Sequence, residues 1–132
     1  MKSDAFREAV ENEDPESLAE ALAEPVVFRS PVVFKPYEGK PVVSTILTEG
    51  AMRVFEDFRY RHQLEDGDVA ALVFEARVGD REVSGVDLLR FDAEGRVAEL
   101  TVMVRPISGL SALAEAMGRE LERLGIAPPT GA

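Results

Sequence analysis

The chain contains no cysteine, which excludes disulfide cross-links and thiolate metal sites and is compatible with a reducing compartment. Histidine is almost as scarce: His62 is the single one in 132 residues, and one imidazole without a neighbouring acid motif makes a poor metal site. No metal and no cofactor is therefore expected. Long apolar runs are missing too. The longest, Val69 to Phe74, is far too short to span a bilayer, and the segment Met1 to Asp14 carries no apolar signal-like stretch, so a cytoplasmic protein with no membrane partner is expected. Positive charge is thin: 15 basic against 25 acidic residues leave a net charge of −10, with no Lys/Arg cluster to offset it. Such a surface repels phosphate backbones, so no nucleic-acid partner is expected. Phosphate loops, nucleophile elbows and zinc-helix signatures are also absent, and no repeat, low-complexity stretch or linker divides residues 1–132, which read as one domain.

What is present suffices for a core. Hydrophobic residues make up 45% and charged residues 30%, the balance of a globular protein, and a chain of this length buries roughly two-thirds of its unfolded surface. Ser3 is placed to cap a helix with Phe6, Ala9 and Val10 on one face. Asp14-Pro15 is a second helix start, a capping carboxylate before a proline, with Leu18, Ala21 and Leu22 along one face and Pro25 as the expected stop. Val26-Val27-Phe28 and Val32-Val33-Phe34 read as two short extended pieces separated by a bend. A third helix starts at Pro41 and carries Val43, Ile46, Leu47, Gly50, Val54 and Phe55 as a stripe; Gly50 within it predicts close packing or a break.

From Asp57 the period becomes two. Phe58, Tyr60, His62 and Leu64 alternate with polar residues, then Leu72, Phe74, Ala76 and Val78, then Val83, Asp87, Leu89 and Phe91, with turns at Asp66-Gly67-Asp68, Gly79-Asp80 and Asp92 to Gly95. With Val97 to Val104 these make four antiparallel strands in a meander. A last helix, capped by Ser108 or Ser111, presents Leu110, Leu113, Met117, Leu121 and Leu124. Helices first, a meander last and one closing helix define an α+β fold.

Strand parity puts Asp87 on the buried face, beside Val83, Leu89 and Phe91. Apolar surroundings disfavour its charged form and raise its pKa, so it could donate a hydrogen bond or act as acid or base near neutrality. Equally, it could be a structural carboxyl satisfied by protein groups. His62 and Tyr60 share a face and could join it in a polar cluster; alternatively His62 is a hydrogen-bonded histidine at a sheet surface or a dimer contact. Arg105, at the end of the last strand, is an anion-pairing candidate or an ordinary ion-pair partner. Phe6, Phe28, Phe55, Phe58 and Phe74, with Ser30, Leu89, Leu100 and Val102, are the candidate walls of a ligand pocket.

The pattern through Asn12-Glu13-Asp14, Val26 to Val32, Gly39 and above all Gly85-Val86-Asp87-Leu88-Leu89-Arg90-Phe91 to Val97 resembles the nuclear transport factor 2-like superfamily, in its SnoaL-like and ketosteroid isomerase-like branch. The resemblance implies a cone-shaped fold, a curved antiparallel sheet wrapped around helices with a central pocket, and a homodimer packed through the sheets. It also implies that Asp87 is the counterpart of the protonated aspartate in the isomerase oxyanion hole. Ser30 and Phe6 stand where those isomerases have their base and their tyrosine, which argues against ketosteroid isomerase activity itself. Val102 stands where related epoxide hydrolases have an aspartate. The expectation is a domain that binds a small hydrophobic, carbonyl-containing molecule, with an isomerase- or cyclase-like role for Asp87 aided by His62 or Tyr60. The alternative is a non-catalytic ligand-binding or dimeric assembly module, since this fold hosts many functions.

Overall fold

The computed structural model describes residues 1–129. Helices α1 (Asp4–Glu11) and α2 (Pro15–Ala21) lead into strand β1 (Leu22–Arg29) and the two-residue strand β2 (Tyr37–Glu38). Helix α3 (Lys40–Thr45) runs on through a π-helical stretch, Ile46–Ala51, into the short α4 (Met52–Val54). Strands β3 (Glu56–Asp66), β4 (Val69–Val78), β5 (Arg81–Phe91) and β6 (Val97–Arg105) and helix α5 (Ile107–Leu124) complete the α+β fold. One six-stranded sheet has the order β2-β1-β6-β5-β4-β3. The expected antiparallel meander is β3 to β6; β1 extends it by pairing parallel to β6, with β2 antiparallel at the edge.

Alternation decides which face is covered. Leu72, Phe74, Ala76 and Val78 of β4 and Val83, Asp87, Leu89 and Phe91 of β5 are all buried, as a period of two requires when one face packs on helices. The helices supply Phe6, Ala9, Leu18, Val43, Ile46 and Leu113 to the same core. Gly50 is tightly packed as expected: a Cβ there would meet Met117 Cε at 3.1 Å. Asp14 caps α2, its carboxylate accepting from the Ser17 amide.

Several local expectations are corrected. Pro25 does not end α2: the chain is extended from Leu22 onward, and Pro25 sits inside β1 where the register to β6 slips between Leu22 and Val27, so its missing N–H breaks no ladder bond. Residues 32–34 are not a strand. Ser30 Oγ accepts from the amides of Val32 and Val33, both at 3.2 Å, holding a serine turn, and Phe34 is 93% exposed; the edge strand forms instead at Tyr37–Glu38. Ser3 stands at the start of α1 without capping it. Its buried hydroxyl instead donates to Glu65 (2.7 Å) and accepts from Gln63 (2.8 Å), tying α1 to β3. Neither Ser108 nor Ser111 caps α5, which begins directly after Pro106. Among the described residues no helix is long and apolar enough to cross a membrane.

Gly85 faces β6 and the aromatic wall at close range: a Cβ there would overlap Met103 O and approach Phe74 Cζ at 2.6 Å. Gly85→Ala should therefore destabilise the fold by about 1–3 kcal/mol, read as a lower denaturant midpoint at unchanged m-value; an unshifted midpoint would contradict this packing.

Candidate functional site

The inner face of the sheet does not close against the helices everywhere. Between them lies a cavity of about 660 Å³, within the range of small-molecule sites. Phe28 of β1, Phe58 and Tyr60 of β3, Phe74 of β4, Asp87 of β5 and Leu100 and Val102 of β6 form its sheet side. Phe6, Ile46, Leu47, Phe55, Leu113, Met117 and Leu121 form its helical side. Three phenylalanines fix the wall beside the tyrosine. Phe58 stacks on Phe74 with centroids 4.8 Å apart and meets Tyr60 edge-on at 4.9 Å, while Phe55 meets both phenylalanines edge-on at 5.7 Å. Such pairs hold rings in one orientation beyond what burial alone would do.

Into this hydrocarbon surface β5 turns one carboxyl. Asp87 lies in register between Leu72 and Val102 and is 7% exposed. Tyr60 O–H donates to its Oδ2 at 2.6 Å, and among the described residues no protein group bonds to the other carboxyl oxygen. Burial disfavours the carboxylate strongly and the Tyr60 bond only partly offsets this, so the pKa of Asp87 is pushed up to about 7. Burial, then the proximity of Asp87, raises the Tyr60 phenol well above its ordinary value, so the phenol keeps its proton. The Arg7 guanidinium lies 5.7 Å from the Tyr60 ring centroid and donates to Gln63 at 2.9 Å, bracing the tyrosine from the α1 side. Near neutrality Asp87 can thus hold or release a proton, with one oxygen anchored and one turned to the cavity.

The sequence-derived candidates separate into two groups. Asp87, Tyr60, Phe6, Phe28, Ser30, Phe55, Phe58, Phe74, Leu100 and Val102 all line the cavity. His62 does not. The β3–β4 register slips between Tyr60 and His62, so Arg61 is an extra residue and every later side chain swaps faces. His62 and Leu64 therefore point out to solvent, and Gln63 and Glu65 take the covered side. Leu89 is also corrected. Parity put it on the inner face, but on β5 only Asp87 reaches the cavity, and Leu89 is fully buried in the close-packed core. Arg105 is exposed, hydrogen-bonded to Ser84 at 3.3 Å, away from the cavity.

Sequence reasoning missed the rim. Glu11, Glu13, Asp57 and Glu122 line the opening and are exposed, and among the described residues no Lys, Arg or His lines the cavity. Glu11 pairs with Arg7 and Asp57 with Arg77. Glu13 and Asp57 reach their places through left-handed backbone, φ 50° and 51°, which a non-glycine sequence does not announce. Glu122 lies on the Ala114–Gly118 face of α5, beside the apolar stripe and not on it, so the stripe did not mark it. Among the described residues no three His, Asp or Glu side chains converge as a metal site.

A sequence model of the SnoaL-like domain family matches residues 4–100. Among solved structures, the chain is similar to a steroid delta-isomerase from Pseudomonas aeruginosa, with 46% identity over 96% of this chain and 93% of that one and a TM-score of 0.87. It is also similar to an uncharacterized protein with a cystatin-like fold from Silicibacter pomeroyi, with 30% identity over 92% and 85% and a TM-score of 0.87. An NTF2-like protein of unknown function from Mesorhizobium loti shares the fold at 24% identity, covering 76% of this chain and 85% of that one, TM-score 0.69. No curated protein matches the chain.

The raised pKa of Asp87 has a consequence for stability. Between its ordinary value, 3.8, and about 7, the folded chain binds more proton than the unfolded one, so stability falls as pH rises through this window, by at most about 4 kcal/mol. Asp87→Asn removes that penalty. Its melting temperature relative to wild type should rise between pH 5 and pH 8 in thermal unfolding, and a pH-independent difference would mean that Asp87 is an ordinary ionised carboxylate.

Proposed function

The chain belongs to the SnoaL-like domain family, and from that premise we propose that its cavity binds a small, uncharged, mostly apolar molecule through a carbonyl oxygen. Asp87 carries the reading. Its buried carboxyl offers one oxygen to the cavity while Tyr60 holds the other at 2.6 Å; protonated, the free side donates a hydrogen bond that polarises the carbonyl, in surroundings where such a bond is strong. The acidic rim and the lack of basic lining residues favour an uncharged ligand over a carboxylate. The steroid delta-isomerase from Pseudomonas aeruginosa, 46% identical, supports a rigid polycyclic ketone as the ligand class.

An isomerase- or cyclase-like turnover asks more. Moving a proton between carbons needs a base beside the substrate as well as a donor at the oxygen. The resemblance puts Ser30 at the position of the isomerases' base; it lines the cavity, and its hydroxyl already accepts from two backbone amides. Asp87 is thus the one buried carboxyl lining the cavity among the described residues, and the remaining acids of the lining stand at the exposed rim. The role assigned is carbonyl binding and polarisation, with Asp87 as the proton-bearing group and Tyr60 as its anchor.

A second reading rests on the outer face of the sheet. Val73, Val86 and Met103 lie side by side in register, next to Ala71, Leu88 and Thr101. Leu88 and Met103 are 37% and 49% exposed, and the ion pairs Arg59–Glu75 and Arg90–Glu99 flank the row. An apolar centre rimmed by charges of both signs suits a second copy of the same face, and we propose a homodimer through the sheet. Sedimentation should give twice the 14.4 kDa chain mass, and Met103→Glu should shift it to the monomer; a monomeric wild type would dismiss the dimer.

Carbonyl binding is tested with a neutral ketone, 2-acetylnaphthalene, by calorimetric titration from pH 5 to 9. Only protonated Asp87 can donate, so the wild-type affinity should fall about tenfold per pH unit above 7. Asp87→Asn, which keeps an N–H donor without the titration, should give a flat profile, and Tyr60→Phe should move the wild-type break. A wild-type affinity that does not vary with pH would defeat the assignment.

A further inference from the structure

Of the nine glycines among the described residues, five adopt the left-handed backbone that favours glycine and three are pressed against neighbours. A Cβ on Gly50 would crowd Met117, on Gly85 it would strike Phe74 and Met103, and on Gly109 it would strike Val83. Gly118 belongs to neither group. It lies well inside α5, where glycine is the poorest helix former after proline, and a Cβ built on it meets no atom within 4 Å. Nothing in the protein's own packing calls for it. Yet Gly118 lines the cavity and is exposed at its opening, four residues after Ala114 and four before Glu122, which line it too. Those three positions share one face of the helix, so the missing side chain is a notch in the rim.

A second observation gives the notch meaning. At the inner wall of the same cavity, Asp87 is 7% exposed and keeps one carboxyl oxygen without a protein partner among the described residues. A ligand anchored there must run outward along the apolar channel, and its far end meets the rim. We propose that Gly118 is a specificity-determining position that leaves room for the outer end of an elongated ligand whose oxygen is held at Asp87. The inference rests on the carbonyl-binding reading and adds to it the length of the molecule: the open position at Gly118 leaves space for the outer rings of an extended ketone, and a side chain at position 118 shortens what the cavity accepts.

The test compares two neutral ketones at pH 6 with the full chain, 2-acetylnaphthalene with two rings and progesterone with four, by isothermal titration. Wild type binds both. Gly118→Leu lowers the ratio of progesterone to acetylnaphthalene affinity at least tenfold. Gly118→Ala lowers it two- to threefold and raises the melting temperature by about 3 °C through helix propensity, so the effect on the ratio is separable from any loss of fold. Glu115→Leu, on the solvent side of α5 with its side chain 76% exposed, keeps the wild-type ratio. An unchanged ratio in Gly118→Leu overturns the proposal, as does a wild type that takes the two-ring ketone and refuses the four-ring one. If wild type binds neither ketone, the carbonyl-binding reading itself fails.

Discussion

A carboxyl group held against hydrocarbon by one hydrogen bond is the constraint on which the chemistry of this molecule turns. An aspartate in water gives up its proton near pH 4. Asp87 has exchanged that solvation for a single phenol, and with its pKa at about 7 it stands between donor and acceptor at neutral pH. This poise requires that hydrocarbon surround the carboxyl and that Tyr60 stay in place. The aromatic wall of Phe55, Phe58 and Phe74 does the first; the edge contact from Phe58 and the Arg7 guanidinium over the ring do the second.

Those supports come from distant parts of the chain. Arg7 is on α1, which is tied to β3 through Ser3, Gln63 and Glu65, while Tyr60 and Asp87 sit on strands with β4 between them. The bulge at Arg61 is the hinge of this arrangement. It leaves Tyr60 facing the cavity and, two residues later, turns Gln63 and Glu65 inward to receive the first helix. A strand of uniform parity would present His62 to the interior and deprive α1 of its polar attachment.

Membership of the SnoaL-like family and the match to a steroid delta-isomerase settle the architecture, and the residues at the cavity speak to the chemistry. A buried carboxyl whose pKa is pushed up to about 7 is there. The Ser30 hydroxyl is occupied with its own turn, and the other acids at the cavity stand in solvent at the opening. Site chemistry and fold are thus separate questions in this family, since one scaffold carries different reactions on the same strands.

The sequence by itself determined the α+β order, the inward face of β4 and β5, and the burial of Asp87, because alternation and helical stripes are local signals that any covered sheet enforces. It also marked most of the cavity wall, since large aromatics on a buried face have few other places to go. Only the tertiary structure decided that Tyr60 rather than His62 accompanies Asp87, that Pro25 lies within a strand, that Leu89 belongs to the packed core, and that Gly118 opens onto the cavity. Each of these depends on an inserted residue, a slipped register or the depth at which two layers part, and these are set by which elements meet in space, about which the pattern along one strand is silent.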